Sequence, residues 1–247
     1  MNDTTQRPAP HKPTVVLVHG AFADSSSWNG VIEHLRHAGY PVIAAANPLR
    51  GLASDAAYLA GVVKSVEGPV VLAGHSYGGA VISEAADGDP KVKALVYIAA
   101  FIPEKGESAL ELSNKFPGST LGQVLNAVPF PLADGGTGTD LYIDTAAFHD
   151  QFAADVARPV TDLMAATQRP VAASALEEAA TASAWRTIPA WSLVATADKN
   201  IPPAAQRFMS ERAEARTEEL DASHAVSVSQ PGAVARLIEQ AAQSVSD

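Results

Sequence analysis

The chain has 247 residues, 47% of them hydrophobic and 18% charged, enough for one α/β domain, or one domain with an insertion, to bury a large core. A formal charge of −10 argues against docking on nucleic acid or anionic membranes, and the absence of cysteine excludes disulfides, thiolate metal sites and a cysteine nucleophile. Residues 1–13 are polar and proline-rich with no signal-like apolar stretch, and no run approaches the ~20 apolar residues that span a bilayer, so a disordered or extended leader and a cytoplasmic location are expected.

Thr14 to Val18 is a continuous apolar run, the mark of a strand buried on both faces of a parallel sheet. His19-Gly20-Ala21-Phe22 ends it, and Asp24 with Ser25 to Ser27 offers caps for a helix that carries Trp28, Val31, Ile32 and Leu35 inward and stops at Gly39. A strand over 41–45 follows, then a helix capped by Ser54 and reaching about Val66. Val70 to Ala73 is the next strand, and it runs through Gly74-His75-Ser76-Tyr77-Gly78 straight into a small-residue helix that ends near Ala86. Val92 to Phe101 is a fourth strand. Strict alternation of this kind means β-α-β units and a parallel sheet.

The alternation breaks over residues 103–188, where short helical patterns (108–116, 146–157, 160–168 and 172–182) lie between proline- and glycine-rich stretches. This segment reads as a small helical cap or lid inserted after the fourth strand. Its cluster Asp134-Gly135-Gly136-Thr137-Gly138 follows no strand and is no dinucleotide fingerprint. A strand over 191–196, a helix over 203–213, a short strand over 217–220 and a closing helix over 231–244 complete the core. The expected division is 14–102 with 189–247 as the core, holding about six mostly parallel strands flanked by helices, and 103–188 as the cap.

Gly74-His75-Ser76-Tyr77-Gly78 is G-x-S-x-G in a strand–turn–helix setting, where the serine takes strained backbone angles at the mouth of a cleft. Alone it is equally a tight glycine turn; a phosphate loop would need a lysine that is absent. The partners decide it. Asp198 lies just beyond one late strand and His224 just beyond the next, and the order Ser, Asp, His is that of the α/β-hydrolases. A serine hydroxyl needs a base to become a nucleophile, and His224, held in one tautomer by Asp198, would be that base. The oxyanion hole would comprise the backbone N–H of Tyr77 and that of Ala21, with Phe22 as the next choice for the second donor. Gly20 and Phe22 are candidate substrate-binding residues. His75 reads as a packing residue, because adjacent strand residues point to opposite faces, and His19 as a loop-shaping one. Glu104 is the alternative acid. The seven histidines form no H-x-H or H-x-x-x-H pattern, so neither metal nor cofactor is expected.

Val18-His19-Gly20-Ala21, Gly74-His75-Ser76-Tyr77-Gly78-Gly79, Tyr97 to Pro103, Ala197-Asp198-Lys199-Asn200-Ile201-Pro202 and Ser223-His224 together resemble the α/β-hydrolase superfamily. Within it they are similar to the branch of plant methylesterases and hydroxynitrile lyases with their bacterial esterase relatives. The resemblance runs from Thr14 to the last helix. Lyases of this type have threonine where Gly20 stands and lysine where Ala225 stands, so the resemblance implies an esterase rather than a lyase. Ser76 argues against an aspartate nucleophile of the kind found in haloalkane dehalogenases and epoxide hydrolases.

The expectation is a serine carboxylesterase that cleaves small, largely apolar esters through an acyl-enzyme. A lactonase would use the same triad, and a non-catalytic small-ligand receptor would keep the fold. Phe116, Leu121, Val124, Leu125, Phe130, Phe148, Phe152, Leu163 and Met164 of the cap are candidates for pocket lining.

Overall fold

The computed structural model describes residues 12–245, so the leader expected over 1–13 lies, save for its last two residues, outside the described residues. Six strands form one sheet: β1 (Thr14–Val18), β2 (Val42–Ala45), β3 (Val70–His75), β4 (Val92–Ile98), β8 (Ala190–Ala195) and β9 (Arg216–Leu220). Their order is β2-β1-β3-β4-β8-β9, and every pair is parallel. The connecting helices are α1 (Asn29–His37), α2 (Leu52–Ser65), α3 (Tyr77–Ala85), α8 (Pro203–Arg212), α9 (Val226–Ser229) and α10 (Pro231–Gln243).

The apolar strands bury both faces, and their alternation sorts side chains into two cores. Val16, Val18, Leu72, Leu95 and Tyr97 meet α2, α3 and α8, whereas Val15, Leu17, Val71, Ala73, Val96 and Leu193 meet α1 and α10. From β1 the chain winds outward to β2 and then back past β1 to β3. That reversal is the switch point where open α/β sheets leave a crevice beyond the strands' carboxyl ends. Val18 pairs with Gly74, so the loop after β1 and the turn after β3 meet there.

Several ends differ from the sequence expectation for local reasons. Asp24 caps a short 3-10 turn (Ser25–Trp28), its carboxylate accepting from Ser26 N–H, before α1 begins. α2 starts before Ser54, whose hydroxyl instead donates back to the Gly51 carbonyl. β4 stops at Ile98 because Ala99 turns to φ 43°.

The inserted segment is not helical throughout. It carries α4 (Ala109–Asn114), α5 (Phe148–Phe152), α6 (Arg158–Thr167) and α7 (Ala173–Glu177), each within an expected helical pattern or within two residues of one. It also holds a three-stranded antiparallel sheet of β5 (Leu125–Pro131), β6 (Thr137–Ile143) and β7 (Val171–Ala172). The glycine cluster forms the turn of the β5–β6 hairpin with Asp134, Gly135 and Gly136, and its Thr137 and Gly138 open β6. Pro129 and Pro131 disguised β5 in the sequence; it is an edge strand, where missing N–H groups are tolerated.

Candidate active site

Ser76 joins β3 to α3 at φ 54° and ψ −124°, angles that cost about 1–3 kcal/mol and persist only where the surroundings over-determine them. They do: Ser76 N–H donates to the Ile98 carbonyl at 3.3 Å, and its own carbonyl accepts from Gly79 N–H at 3.0 Å and Phe101 N–H at 3.1 Å. The packing is close. A Cβ on Gly78 would stand 2.4 Å from the Val18 carbonyl oxygen, and one on Gly20 would stand 2.6 Å from Ser76 Cβ, so the loop after β1 can rest on the turn only with glycine at both places.

Asp198 follows β8 and is 5% exposed, while His224 follows β9 and is 1% exposed. A carboxylate only accepts, so the imidazole proton resides on Nδ1, which donates to Asp198 Oδ2 at 2.6 Å. Nε2 is then free to accept from the Ser76 hydroxyl at 2.9 Å. The acid is itself held from four directions. Its Oδ1 accepts from Asn200 N–H at 2.7 Å and Ile201 N–H at 3.0 Å, and Oδ2 accepts from Gln206 Nε2 at 2.8 Å as well as from the imidazole. The Gln206 amide is braced in turn by the Ile201 carbonyl and Ala195 N–H. Sequence reasoning missed Gln206: glutamine on an amphipathic helix carries no signal until the helix is docked.

The two candidate oxyanion donors are distinguished by a distant contact. Phe22 N–H is consumed by the Arg169 carbonyl at 3.0 Å, whereas no hydrogen bond among the described residues uses the N–H of Ala21 or of Tyr77. Tyr77 is anchored below by its hydroxyl, which donates to Asp55 Oδ2 at 2.9 Å; the same carboxylate accepts from Arg50 N–H. Burial pushes the Asp55 carboxyl and the Tyr77 phenol up from their usual ranges.

Ser76, Ala21, Phe22 and Tyr77 border a cavity of about 160 Å³ walled by Leu110, Leu121, Leu125, Leu141 and Leu176. Of the expected lining residues, Leu121 and Leu125 are there. Phe148 and Phe152 instead stack on each other in the core at 5.0 Å, Phe116 packs on Phe208, and Leu163 and Met164 line a separate groove with Phe22. Gly20 lies under Ser76 rather than in the cavity wall.

His75 is buried and donates from Nε2 to the His224 carbonyl at 2.8 Å, while its Nδ1 has no partner. Burial, with the His224 ring beside it, holds its pKa well below the usual histidine value. His19 accepts Asn47 N–H at Nε2 and donates from Nδ1 to the Gly20 carbonyl, which shapes the loop after β1. The Glu104 carboxylate is engaged elsewhere. It binds the Arg186 guanidinium and the Ser183 hydroxyl, and Arg186 lowers its pKa to about 2. Among the described residues no cluster of ligating side chains could hold a metal, and no helix is long and apolar enough to cross a membrane.

Comparison with known proteins agrees with this architecture. The esterase that hydrolyses carbendazim from Nocardioides sp. (strain SG-4G) is 36% identical over 116 residues; the match covers 40% of this chain and 47%, about half, of that relative. Polyneuridine aldehyde esterase superposes with a TM-score of 0.81 at 19% identity, covering 93% of this chain and 98% of its own. A pyrethroid hydrolase from Sphingobium faniae JZ-2 superposes at 0.75 and 22% identity, covering 94% and 98%. A family model matches residues 15–237, nearly the whole described chain, and on that match the chain belongs to the alpha/beta hydrolase family.

Proposed function

We propose that the protein is a serine carboxylesterase that hydrolyses small, largely apolar carboxylic esters. The observation that carries the reading is the unbroken relay from Asp198 Oδ2 through His224 to the Ser76 hydroxyl, ending at a cavity bordered by Ala21 and Tyr77, whose N–H groups are uncommitted among the described residues. In this reading Ser76 Oγ attacks the ester carbonyl carbon while its proton passes to His224 Nε2. The carbonyl oxygen becomes an oxyanion and accepts from Ala21 and Tyr77 N–H. Collapse breaks the C–O bond, and the alkoxide leaves with the proton from Nε2 as the alcohol. Water then loses a proton to the same nitrogen, attacks the acyl-enzyme and releases the acid and Ser76. Asp198 stays ionised and stabilises the imidazolium.

Leucine walls and a modest volume favour a short apolar acyl group. The carbendazim-hydrolysing relative is an esterase by name, which accords with this class of reaction. Small molecules are the only partners the reading requires.

A fluorophosphonate probe tests it. The wild-type chain labels covalently and turns over p-nitrophenyl acetate and butyrate, and Ser76→Ala does neither. Absence of labelling in the wild type, or labelling that survives in Ser76→Ala, overturns the assignment. Lactones assayed beside the linear esters show which ring or chain the site prefers.

A further inference from the structure

One short stretch of the insertion touches the acid loop and the base loop together. Gln151 is buried; its Nε2 donates to the Lys199 carbonyl at 3.0 Å and to Asn200 Oδ1 at 2.8 Å, and its Oε1 accepts from the Thr120 hydroxyl at 2.8 Å. Lys199 Nζ reaches the Asp150 carbonyl at 2.9 Å. The Phe152 carbonyl accepts from Ala225 N–H at 3.0 Å, and the Phe152 ring meets the His224 imidazole edge-on with centroids 5.0 Å apart. Asp155 Oδ2 accepts from Ser223 N–H at 3.1 Å, and Oδ1 accepts from the Ser223 hydroxyl.

The backbone N–H groups of Ser223 and Ala225, one on each side of His224, therefore donate to the insertion, while the His224 carbonyl accepts from His75 at the end of β3. β9, which feeds this loop, is an exposed strand at the edge of the sheet, paired on one side with β8. An imidazole that must bridge two partners, at 2.6 Å on one side and 2.9 Å on the other, tolerates little play in its backbone.

We infer that the insertion is a frame for the catalytic loops, and that Asp155 is a positioning residue that sets the His224 imidazole through Ser223. The inference rests on the reading of His224 as the base. Asp155 is solvent-exposed, so removing its carboxylate opens no void in the core and leaves the fold intact.

The test uses the full chain with Asp155→Ala, Asp155→Asn and Ser223→Ala. Asp155→Ala lowers kcat on p-nitrophenyl acetate by about 10- to 100-fold while KM stays within about threefold, because the ground-state pocket is untouched. Asp155→Asn recovers most of the loss, since its amide accepts from Ser223 N–H and donates to the hydroxyl oxygen. In a Ser223→Ala background the effect of Asp155→Ala shrinks. The downfield proton resonance of His224 Nδ1–H, which needs no substrate, broadens in Asp155→Ala and returns in Asp155→Asn.

An Asp155→Ala protein with wild-type kcat and an unchanged resonance, whatever its melting temperature, overturns the inference. If the wild type hydrolyses no ester, the esterase reading fails by itself. The resonance then decides the positioning role: its persistence in Asp155→Ala refutes that role and its loss sustains it.

Discussion

Gln206→Glu is a near-isosteric change with a consequence that can be worked out beforehand. The Gln206 Nε2 atom lies 2.8 Å from Asp198 Oδ2, so the substitution puts a carboxylate oxygen where an N–H donor stood. With an effective dielectric constant of 20, two unit charges at that spacing repel by about 6 kcal/mol. At 1.36 kcal/mol per unit, that raises the pKa of the new group by about 4 units. The pair therefore shares one proton at neutral pH. In its protonated form the introduced carboxyl donates to Asp198 as the amide did, and its other oxygen still accepts from Ala195 N–H. Only the bond to the Ile201 carbonyl is lost, for about 1 kcal/mol of stability.

The expected phenotype is near-wild-type kcat/KM at pH 6–7 and a new alkaline loss of activity above about pH 8. Gln206→Leu, which has no donor at any pH, is impaired throughout. The assay is kcat/KM for p-nitrophenyl acetate from pH 5.5 to 9.5, corrected for spontaneous hydrolysis, with a urea melt at each end of the range. A Gln206→Glu profile that superposes on the wild type up to pH 9.5 would refute both the contact and its bearing on the acid.

Two further outcomes follow from other parts of the molecule. His75 is neutral when folded, whereas the unfolded chain takes up a proton below about pH 6.5, so stability is lost as the pH falls through that value. The loss is at most about 2 kcal/mol between pH 6.5 and 5, and urea melts of His75→Gln should show a shallower pH slope than the wild type; an equal slope counts against a neutral buried ring. His19, also held low by burial, acts in the same direction and accounts for a residual slope. Leu176 walls the cavity beside Ser76, so Leu176→Ala should raise kcat/KM for p-nitrophenyl hexanoate relative to acetate by about tenfold or more, and an unaltered ratio would place the acyl group elsewhere.

Much of the site was legible because its signals are local. A β-branched run, two close-packed glycines around Ser76 and a helix starting at once need no knowledge of the rest of the chain. Asp198 and His224 could be picked out because Asp198 follows an apolar strand and His224 the next, short one, and parallel strands in one sheet bring their carboxyl ends to one rim. The β5 strand was not legible. Its sequence Leu-Asn-Ala-Val-Pro-Phe-Pro has neither clean alternation nor uninterrupted donors, and it becomes a strand only because β6 pairs with it.

Apolar period, glycine placement and position relative to strand ends were enough to set the order of the core elements, the parallel sheet and the three residues of the proposed relay. Packing had to settle which first-loop N–H remains free, because the Arg169 carbonyl takes that of Phe22 and leaves that of Ala21. Packing likewise brought the Gln206 amide to Asp198 and the Asp155 carboxylate to Ser223. The difference is one of range: periodicity and turn chemistry act over a few residues, whereas a hydrogen bond between a polar side chain and a distant loop exists only once the packed core has carried the two together.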